Sequence, residues 1–107
     1  MRQRVINAED RKLVILATNT LARSNADEAA ALRDTTGRTY VAINVKSPSL
    51  NLDAFEAVLT VALASGITGI ESVVATGTQP SNVKAIKDFA PTATVFYIAA
   101  DGQEHLL

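Results

Sequence analysis

Apolar side chains recur at close to helical spacing over residues 8–23, and they are Leu13, Leu16, Ala17 and Leu21. Such spacing places them on one face of an amphipathic helix. Asn7, directly before this stretch, is a residue type that commonly caps a helix N-terminus. The pattern therefore predicts a helix over residues 8–23 with one buried face.

Four shorter runs, rich in β-branched and other apolar residues, predict strands. They cover residues 28–33, 38–45, 70–75 and 94–99. The first two flank the segment Asp34-Thr35-Thr36-Gly37, where glycine allows the positive φ of a tight turn. Pro48 follows the second run and predicts a loop, because proline does not fit a central strand.

Two further helices are predicted, over residues 53–65 and 81–89. The first is apolar almost all round, with Glu56 among its few interruptions, so we expect it to be buried on more than one side. Gly66 and Pro91 end the two helices. The resulting order, α-β-β-α-β-α-β, predicts an α/β fold with a mixed sheet between helices on both faces, a three-layer α-β-α arrangement.

The whole-chain composition narrows the function classes. The 107 residues are 48% hydrophobic, which suits one compact domain over residues 1–107. A net charge of -1 and an aromatic content of 5%, without Trp, argue against a surface that binds DNA or RNA. The apolar runs are too short to span a membrane, and residues 1–5 lack the features of a signal peptide. We therefore expect a cytoplasmic protein with no nucleic-acid or membrane partner.

Three segments of the chain have counterparts in a known family. They are Thr36-Gly37-Arg38-Thr39-Tyr40 with Asn44-Val45, the helix start at residues 53–59, and Pro80-Ser81-Asn82-Val83-Lys84 with Phe89-Ala90-Pro91. In this order and at this spacing the chain resembles the cytidine deaminase family of zinc-dependent nucleoside deaminases, over residues 13–99. The resemblance implies the fold of that family and places Glu56 at the position of the glutamate that moves protons. It also matches Asn44 to the Asn of an Asn-Val-Glu ribose-binding motif, while Lys46 stands where that motif has Glu.

The same resemblance marks a departure at the three positions that hold zinc in these enzymes. Those positions read Ala54, Ser81 and Lys84, and the chain has no cysteine and a single histidine, His105. Alanine offers zinc no donor, serine a poor one, and a lysine ammonium would repel the metal. A metal-bound water has a pKa of about 7 instead of about 15.7, and a lone carboxylate does not supply that activation. We therefore expect a member of the family that has lost its zinc ligands and binds no cofactor.

Several candidate site residues also have a purely structural interpretation. Glu56 lies three residues after Asp53, which is the spacing of a capping box. Ser81 is the predicted N-cap of the third helix, and His105 is expected to be an exposed residue near the end of the chain. Asn44, at a strand end, is either a turn former or a ligand to a sugar hydroxyl.

Two lysines carry further hypotheses about this site. Lys84 is either an ordinary solvated lysine or a cation that replaces the lost metal and pairs with Glu56, which would need a partner if it were buried. Lys46, in place of an acid, suggests that a bound ligand carries an anionic group, as a nucleotide does.

The sequence leaves three functional interpretations, of which we favour the first. The domain is a non-catalytic binding or assembly module, with a nucleoside or nucleotide as ligand and with the dimers or tetramers that the resemblance implies. Alternatively, it is a hydrolase or deaminase of altered, non-zinc chemistry, in which Glu56 is the general base and Lys84 or Asn44 assists it electrostatically. A deaminase that obtains its metal in an unexpected way has the least support, because the residues at the zinc positions are poor donors.

Overall fold

The structure is a computed structural model that describes residues 6–107, so the prediction made for residues 1–5 lies outside the described residues. Its helices are α1 (Ala8–Ala22), α2 (Ala54–Ala64) and α3 (Val83–Phe89). Its strands are β1 (Glu28–Asp34), β2 (Thr39–Ile43), β3 (Val45–Lys46), β4 (Asn51–Leu52), β5 (Ile70–Gly77), β6 (Thr94–Ile98) and β7 (Glu104–Leu106). Among residues 6–107, no helix has the length and apolar character needed to cross a membrane.

Five strands form one mixed sheet in the order β2-β1-β5-β6-β7. β1 pairs antiparallel with both β2 and β5, so β2 and β5 run parallel to each other on either side of it. β5 and β6 are adjacent and parallel, and β7 lies at the far edge, antiparallel to β6. α2 and α3 therefore lie in two crossover connections between parallel strands, from β2 to β5 and from β5 to β6. This is the mixed sheet that the sequence predicts.

The sheet separates two apolar clusters, because successive side chains of a strand point to opposite faces. On one face, Leu13 and Ala17 of α1 pack with Ala31 and Val74 of the sheet. On the other face, the larger cluster joins α2, α3 and the sheet, and its members include Leu32, Phe55, Val58, Val73, Ile86 and Val95. The predicted three-layer α-β-α arrangement is confirmed.

Local sequence signals explain how several elements begin and turn. The Asn7 side chain accepts a hydrogen bond from Asp10 N at 2.7 Å, which confirms Asn7 as the N-cap of α1. In the turn between β1 and β2, Asp34 Oδ1 accepts a hydrogen bond from Thr36 N at 3.0 Å. Gly37 has a φ of 92°, so the predicted role of glycine in this turn is also confirmed.

The second predicted strand, residues 38–45, is longer than the strand that forms. β2 ends at Ile43, and after Asn44 the chain leaves the main sheet. β3 then pairs with β4 in a separate two-stranded sheet, and Pro48 lies in the loop between them. The prediction of one continuous strand is therefore wrong, whereas the loop at Pro48 is confirmed.

Two further expectations need correction or qualification. No strand was predicted beyond residue 99, but Glu104–Leu106 forms one and pairs with β6; His105 on this strand is exposed, as predicted. α2 is buried against both the sheet and α3, as its apolar sequence predicts. However, Val61 and Leu63 are each 44% exposed, so among residues 6–107 α2 is not buried all round.

Candidate functional site

The topology brings several chain segments to one edge of the main sheet. β2 and β5 are parallel, so their carboxyl ends lie at this edge, and the antiparallel β1 begins there. The connections to α2 and α3 leave from the same edge, which places the N-termini of both helices nearby. Ligands of open α/β sheets generally bind beyond the carboxyl ends of parallel strands. This edge is therefore the candidate site.

A cleft of about 510 Å³ lies at this edge. Its wall includes the side chains of Glu28, Asn44, Lys46, Asp53, Glu56 and Asn82. Cavities of about 300–1,000 Å³ are typical of small-molecule sites. The fold thus brings three of the four residues predicted to act on a ligand, Asn44, Lys46 and Glu56, into one cleft of suitable size.

The start of α2 forms one wall of this cleft. Asp53 Oδ1 accepts a hydrogen bond from Glu56 N at 2.8 Å, and Glu56 Oε1 accepts one from Asp53 N at 2.9 Å. This reciprocal pair is the capping box predicted from the spacing of the two residues. It satisfies N–H groups that have no partner within the helix.

Asn82 binds the remaining oxygens of the same two carboxylates. Its backbone N–H donates to Asp53 Oδ2 at 2.6 Å, and its side-chain Nδ2 donates to Glu56 Oε2 at 2.5 Å. The segment that enters α3 is therefore tied to the start of α2 by two hydrogen bonds. Because both oxygens of Glu56 accept hydrogen bonds from the protein, this carboxylate links the start of α2 to the segment that enters α3.

Glu28, the first residue of β1, adds a third carboxylate to the cleft. Its Oε1 accepts a hydrogen bond from Ala54 N, the first residue of α2, at 2.8 Å. Burial raises the pKa of the Glu28 carboxyl above its ordinary value, the hydrogen bond from Ala54 opposes that rise, and the Asp53 and Asp27 carboxylates add to it. The neutral form of Glu28 is therefore favoured more than that of a fully solvated glutamate.

Asn44 holds the backbone of Asp27 and Glu28 in place. Its Oδ1 accepts hydrogen bonds from Asp27 N at 3.2 Å and from Glu28 N at 3.0 Å. Its own backbone N–H donates to Glu28 O at 3.2 Å, which continues the pairing of β1 with β2 by one residue. Asn44 therefore has a structural role, but through contacts with β1 and not as the turn former that the sequence suggested, while its contact with a sugar hydroxyl stays a prediction.

Lys46 brings a cation to the cleft, but an aspartate already binds it. Its Nζ donates to Asp27 Oδ2 at 2.9 Å, and this hydrogen bond raises the pKa of the Lys46 ammonium. The side chain is 71% exposed. Since Glu28, Asp53 and Glu56 also line the cleft, negative side chains outnumber the lysine on its wall.

Lys84 points away from the position predicted for it. Its Nζ binds Asp88 Oδ2 at 2.6 Å, one turn further along α3, and its side chain is 79% exposed. Of the two interpretations of Lys84, the solvated surface lysine agrees with this contact, and the ion pair with Glu56 is wrong. Asn82 takes the place beside Glu56, so this carboxylate has a hydrogen-bond partner without a cation.

Ser81 is exposed and lies on the cleft, but it does not cap α3. The helix begins at Val83, its N-cap position is Asn82, and no side chain caps it by a hydrogen bond. The N-cap prediction for Ser81 is therefore wrong. The reason is that the polar groups of the next residue, Asn82, bind the acids of α2.

The residues matched to the zinc positions do not fit a zinc ion. Ala54 is buried and ends in a methyl group, Ser81 offers only a hydroxyl, and Lys84 offers an exposed ammonium. Structural and catalytic zinc sites in proteins use thiolate, imidazole or carboxylate ligands. In the part of the chain that the structure describes, no three His, Cys, Asp or Glu side chains are grouped so that they could hold a metal ion.

Glu28 and Asn82 were not among the functional candidates predicted from the sequence. Each contacts its partner across 26 positions of sequence, Glu28 at Ala54 and Asn82 at Glu56. Two signals were available. Glu28 is the charged first residue of a strand that continues with three alanines, which marks the strand end, and Asn82 lies inside a segment that carries the family resemblance.

The fold and the site together define the class of protein. It is a three-layer α/β domain whose cleft lies at the carboxyl ends of parallel strands, beside two helix N-termini. A family model described as cytidine deaminase-like matches residues 6–102. Because this match covers more than half of the chain, the protein belongs to the cytidine deaminase-like family. A comparison with curated protein sequences gives no match.

Two solved structures share this fold. The cytidine deaminase from Burkholderia pseudomallei aligns with a TM-score of 0.78 at 18% identity, over 95% of this chain and 92% of that chain. The cytidine deaminase from Mycobacterium leprae aligns with a TM-score of 0.71 at 17% identity, over 94% of each chain. The predicted cytidine deaminase-like fold is confirmed, and at these identities the likeness extends to the fold alone.

Proposed function

We propose that this protein does not carry out zinc-dependent deamination and acts as a binding module through the cleft at the start of α2. The observation that carries the proposal is that both oxygens of Glu56 accept hydrogen bonds from the protein, from Asp53 N and from Asn82 Nδ2. A glutamate that moves protons needs an oxygen within hydrogen-bond reach of the reacting group. A reacting group would have to share the Glu56 carboxylate with these two protein donors.

The chemistry at the zinc positions supports the same proposal. Ala54, Ser81 and Lys84 supply neither thiolate nor imidazole. Without metal activation, an attacking water keeps a pKa of about 15.7 instead of about 7. This difference corresponds to about 12 kcal/mol, at about 1.36 kcal/mol per pKa unit, and a single carboxylate does not replace it.

The charge of the cleft favours a ligand without a negative charge. Glu28, Asp53 and Glu56 line it together with Lys46, and Asp27 already binds the Lys46 ammonium. The anionic ligand suggested by Lys46 alone therefore has less support than an uncharged one. A nucleoside is uncharged, rich in hydrogen-bonding groups and small enough for a cleft of about 510 Å³.

The ligand proposal is tested by thermal-shift measurements and isothermal titration of the untagged protein. The ligands are cytidine, uridine, adenosine and their 5′-monophosphates. A ligand at about a hundredfold excess over its Kd stabilises the protein by about 2.7 kcal/mol, which raises the melting temperature by several degrees. We expect a selective rise with a nucleoside and a smaller one with its monophosphate. The absence of a rise with every ligand would contradict the proposal.

The loss of catalysis is tested separately, by incubating the zinc-supplemented protein with cytidine and following the formation of uridine. We expect no turnover above the rate without protein. Turnover that disappears in the Glu56→Gln variant would instead establish a catalytic role for this glutamate.

An enzyme of altered chemistry based on Glu56 has less support from the same contacts. Of the suggested partners, Lys84 binds Asp88 at the protein surface, and Asn44 accepts hydrogen bonds from backbone N–H groups. Neither contact directs a charge toward Glu56. We therefore rank this function second.

The predicted dimer or tetramer also belongs to the proposal. Val61 and Leu63 on α2 are each 44% exposed, so apolar area remains that an association with other copies would cover. Light scattering after gel filtration measures the mass directly. A monomer mass at micromolar concentration would contradict the assembly.

A further inference from the structure

The three carboxylates of the cleft differ in how many of their oxygens the protein already uses. Both oxygens of Glu56 and both oxygens of Asp53 accept hydrogen bonds. Glu28 accepts one hydrogen bond, from Ala54 N to Oε1, and its Oε2 accepts none from residues 6–107. Among these three carboxylates, Glu28 alone has an oxygen that accepts no hydrogen bond from residues 6–107, so this oxygen keeps its full capacity to accept from a ligand.

The position of Glu28 is fixed from two sides. Ala54 N anchors the carboxylate to the first turn of α2 through a bond of 2.8 Å. Asn44 anchors the backbone, since it accepts from Glu28 N at 3.0 Å and donates to Glu28 O at 3.2 Å. A group that is already held in place loses less conformational freedom when it binds a ligand.

We propose that Glu28 is the residue through which the cleft recognises its ligand, by accepting a hydrogen bond from a hydroxyl or amino group. The inference rests on the proposed function, because it requires that the cleft binds a small molecule. The family resemblance places the acidic ligand contact at the position of Lys46. In this chain the acid stands on β1 instead, and Lys46 is close enough to Glu28 for their charges to interact.

The environment of Glu28 suits this role. The Glu28 carboxyl is partly withdrawn from water, and this burial raises its pKa above the ordinary value. An acceptor withdrawn from water makes a stronger hydrogen bond to a donor than a fully hydrated one does. An uncharged or cationic ligand with a donor group fits this acceptor, whereas a phosphate group would be repelled by it.

The test compares Glu28→Gln with the wild type in isothermal titration with cytidine, uridine and adenosine. Glutamine keeps the size of the side chain and an oxygen for Ala54 N, but replaces the free oxygen by an N–H donor. We expect the affinity to fall by about tenfold to about a hundredfold, as for the loss of a hydrogen bond to a charged group. Glu9→Gln makes the same change at an exposed carboxylate on α1 and is the matched control.

The pH dependence of uridine binding gives a second measurement on the unmodified protein. Uridine has no group that titrates in the acidic range, so a change in its affinity there reports on the protein. Binding is expected to weaken as the pH falls through the pKa of Glu28, starting above the ordinary glutamate value of about 4.3. Glu28→Gln is expected to lack this step.

The outcomes separate this inference from the proposed function. If no nucleoside binds the wild type, the proposed function fails and this inference fails with it. If a nucleoside binds the wild type and Glu28→Gln equally well, only the role of Glu28 is overturned. A loss confined to Glu28→Gln, with an unchanged affinity in Glu9→Gln, supports the role. Should Glu28→Gln not fold, a wild-type affinity for uridine that is constant between neutral pH and about pH 4.3 would overturn it.

Discussion

The N-termini of α2 and α3 lie side by side at the cleft, yet side chains cap only α2. At α2, acidic side chains bind the backbone N–H groups of Asp53, Ala54 and Glu56. At α3, the N-cap position is Asn82, and no side chain caps the helix by a hydrogen bond. The polar groups of Asn82 instead bind the acids of α2.

The difference shows that the two helices do not stabilise this edge of the sheet independently. α2 has 11 residues and its own capping box, whereas α3 has 7 residues and is held at its start by α2. Short helices depend on tertiary contacts, because nucleation is unfavourable and few hydrogen bonds offset it. Changes at the start of α2 should therefore affect both helices, and changes on the outer side of α3 should affect little.

The largest effect is expected for Asp53→Ala. The substitution removes the N-cap of α2 and leaves Asn82 N without its acceptor. We expect the free energy of unfolding to fall by about 2 kcal/mol, because each loss contributes about 1 kcal/mol. The melting temperature should fall by about 10 °C in a thermal denaturation experiment.

Two other variants sharpen this prediction. Asp53→Asn should recover about half of the loss, because asparagine is as good an N-cap as aspartate but presents an Nδ2 donor where Asn82 N needs an acceptor. Asp88→Ala removes an exposed carboxylate that pairs with Lys84 and should cost less than about 0.5 kcal/mol. An Asp53→Ala variant as stable as Asp88→Ala would contradict the coupling of the two helices.

A smaller loss is expected for Glu56→Ala, about 1 kcal/mol in urea denaturation, since it removes one half of the capping box and the acceptor for Asn82 Nδ2. Glu56→Gln should lose less, because glutamine also serves at this position of a capping box. A double-mutant cycle with Asn82→Ala measures the coupling of the two side chains, which we expect to be about 0.5–1 kcal/mol. Additive losses would contradict the direct contact.

The parts of the fold that the sequence predicted are those with local signals. The helices, the main strands and the turn at Gly37 follow from periodicity and from residues that are neighbours in sequence. β7 was missed because it has only three residues, two of them polar, so its pattern is too short to read. The break after β2 was missed because Asn44 is held by backbone groups of Asp27 and Glu28, far from it in sequence.

In the site, too, only the contacts between residues close in sequence were predicted. The capping box of Asp53 and Glu56 spans three residues and was found. The contacts of Glu28 and Asn82 span 26 residues and depend on which strands are neighbours, so no local pattern encodes them. The error about Lys84 has the opposite origin, because its partner Asp88 is only one turn away and this local pair was passed over for a distant one.

A still smaller effect, opposite in sign, is expected for Glu28→Gln. Because the pKa of Glu28 is raised in the folded protein, the stability linked to its protonation is present in full below about pH 4.3, the unfolded value, and is lost as the pH rises through the folded value. At neutral pH the variant should therefore melt slightly above the wild type, and the difference should vanish in acid. Thermal melts across this pH range measure it. A variant that melts below the wild type at neutral pH would show that the charged hydrogen bond to Ala54 outweighs the cost of burial.

The smallest effect is expected for Lys84→Ala. This variant tests whether the outer side of α3 contributes little to stability. Lys84 pairs with Asp88 at the surface of α3, an i,i+4 pair that contributes less than about 0.5 kcal/mol and weakens with added salt. If its ammonium instead compensated a buried Glu56, its removal would cost about 3–5 kcal/mol. Urea denaturation at low and high salt distinguishes these cases. A loss above about 1 kcal/mol that persists at high salt would place Lys84 back at the cleft and would give α3 a role in the site that its contacts do not show.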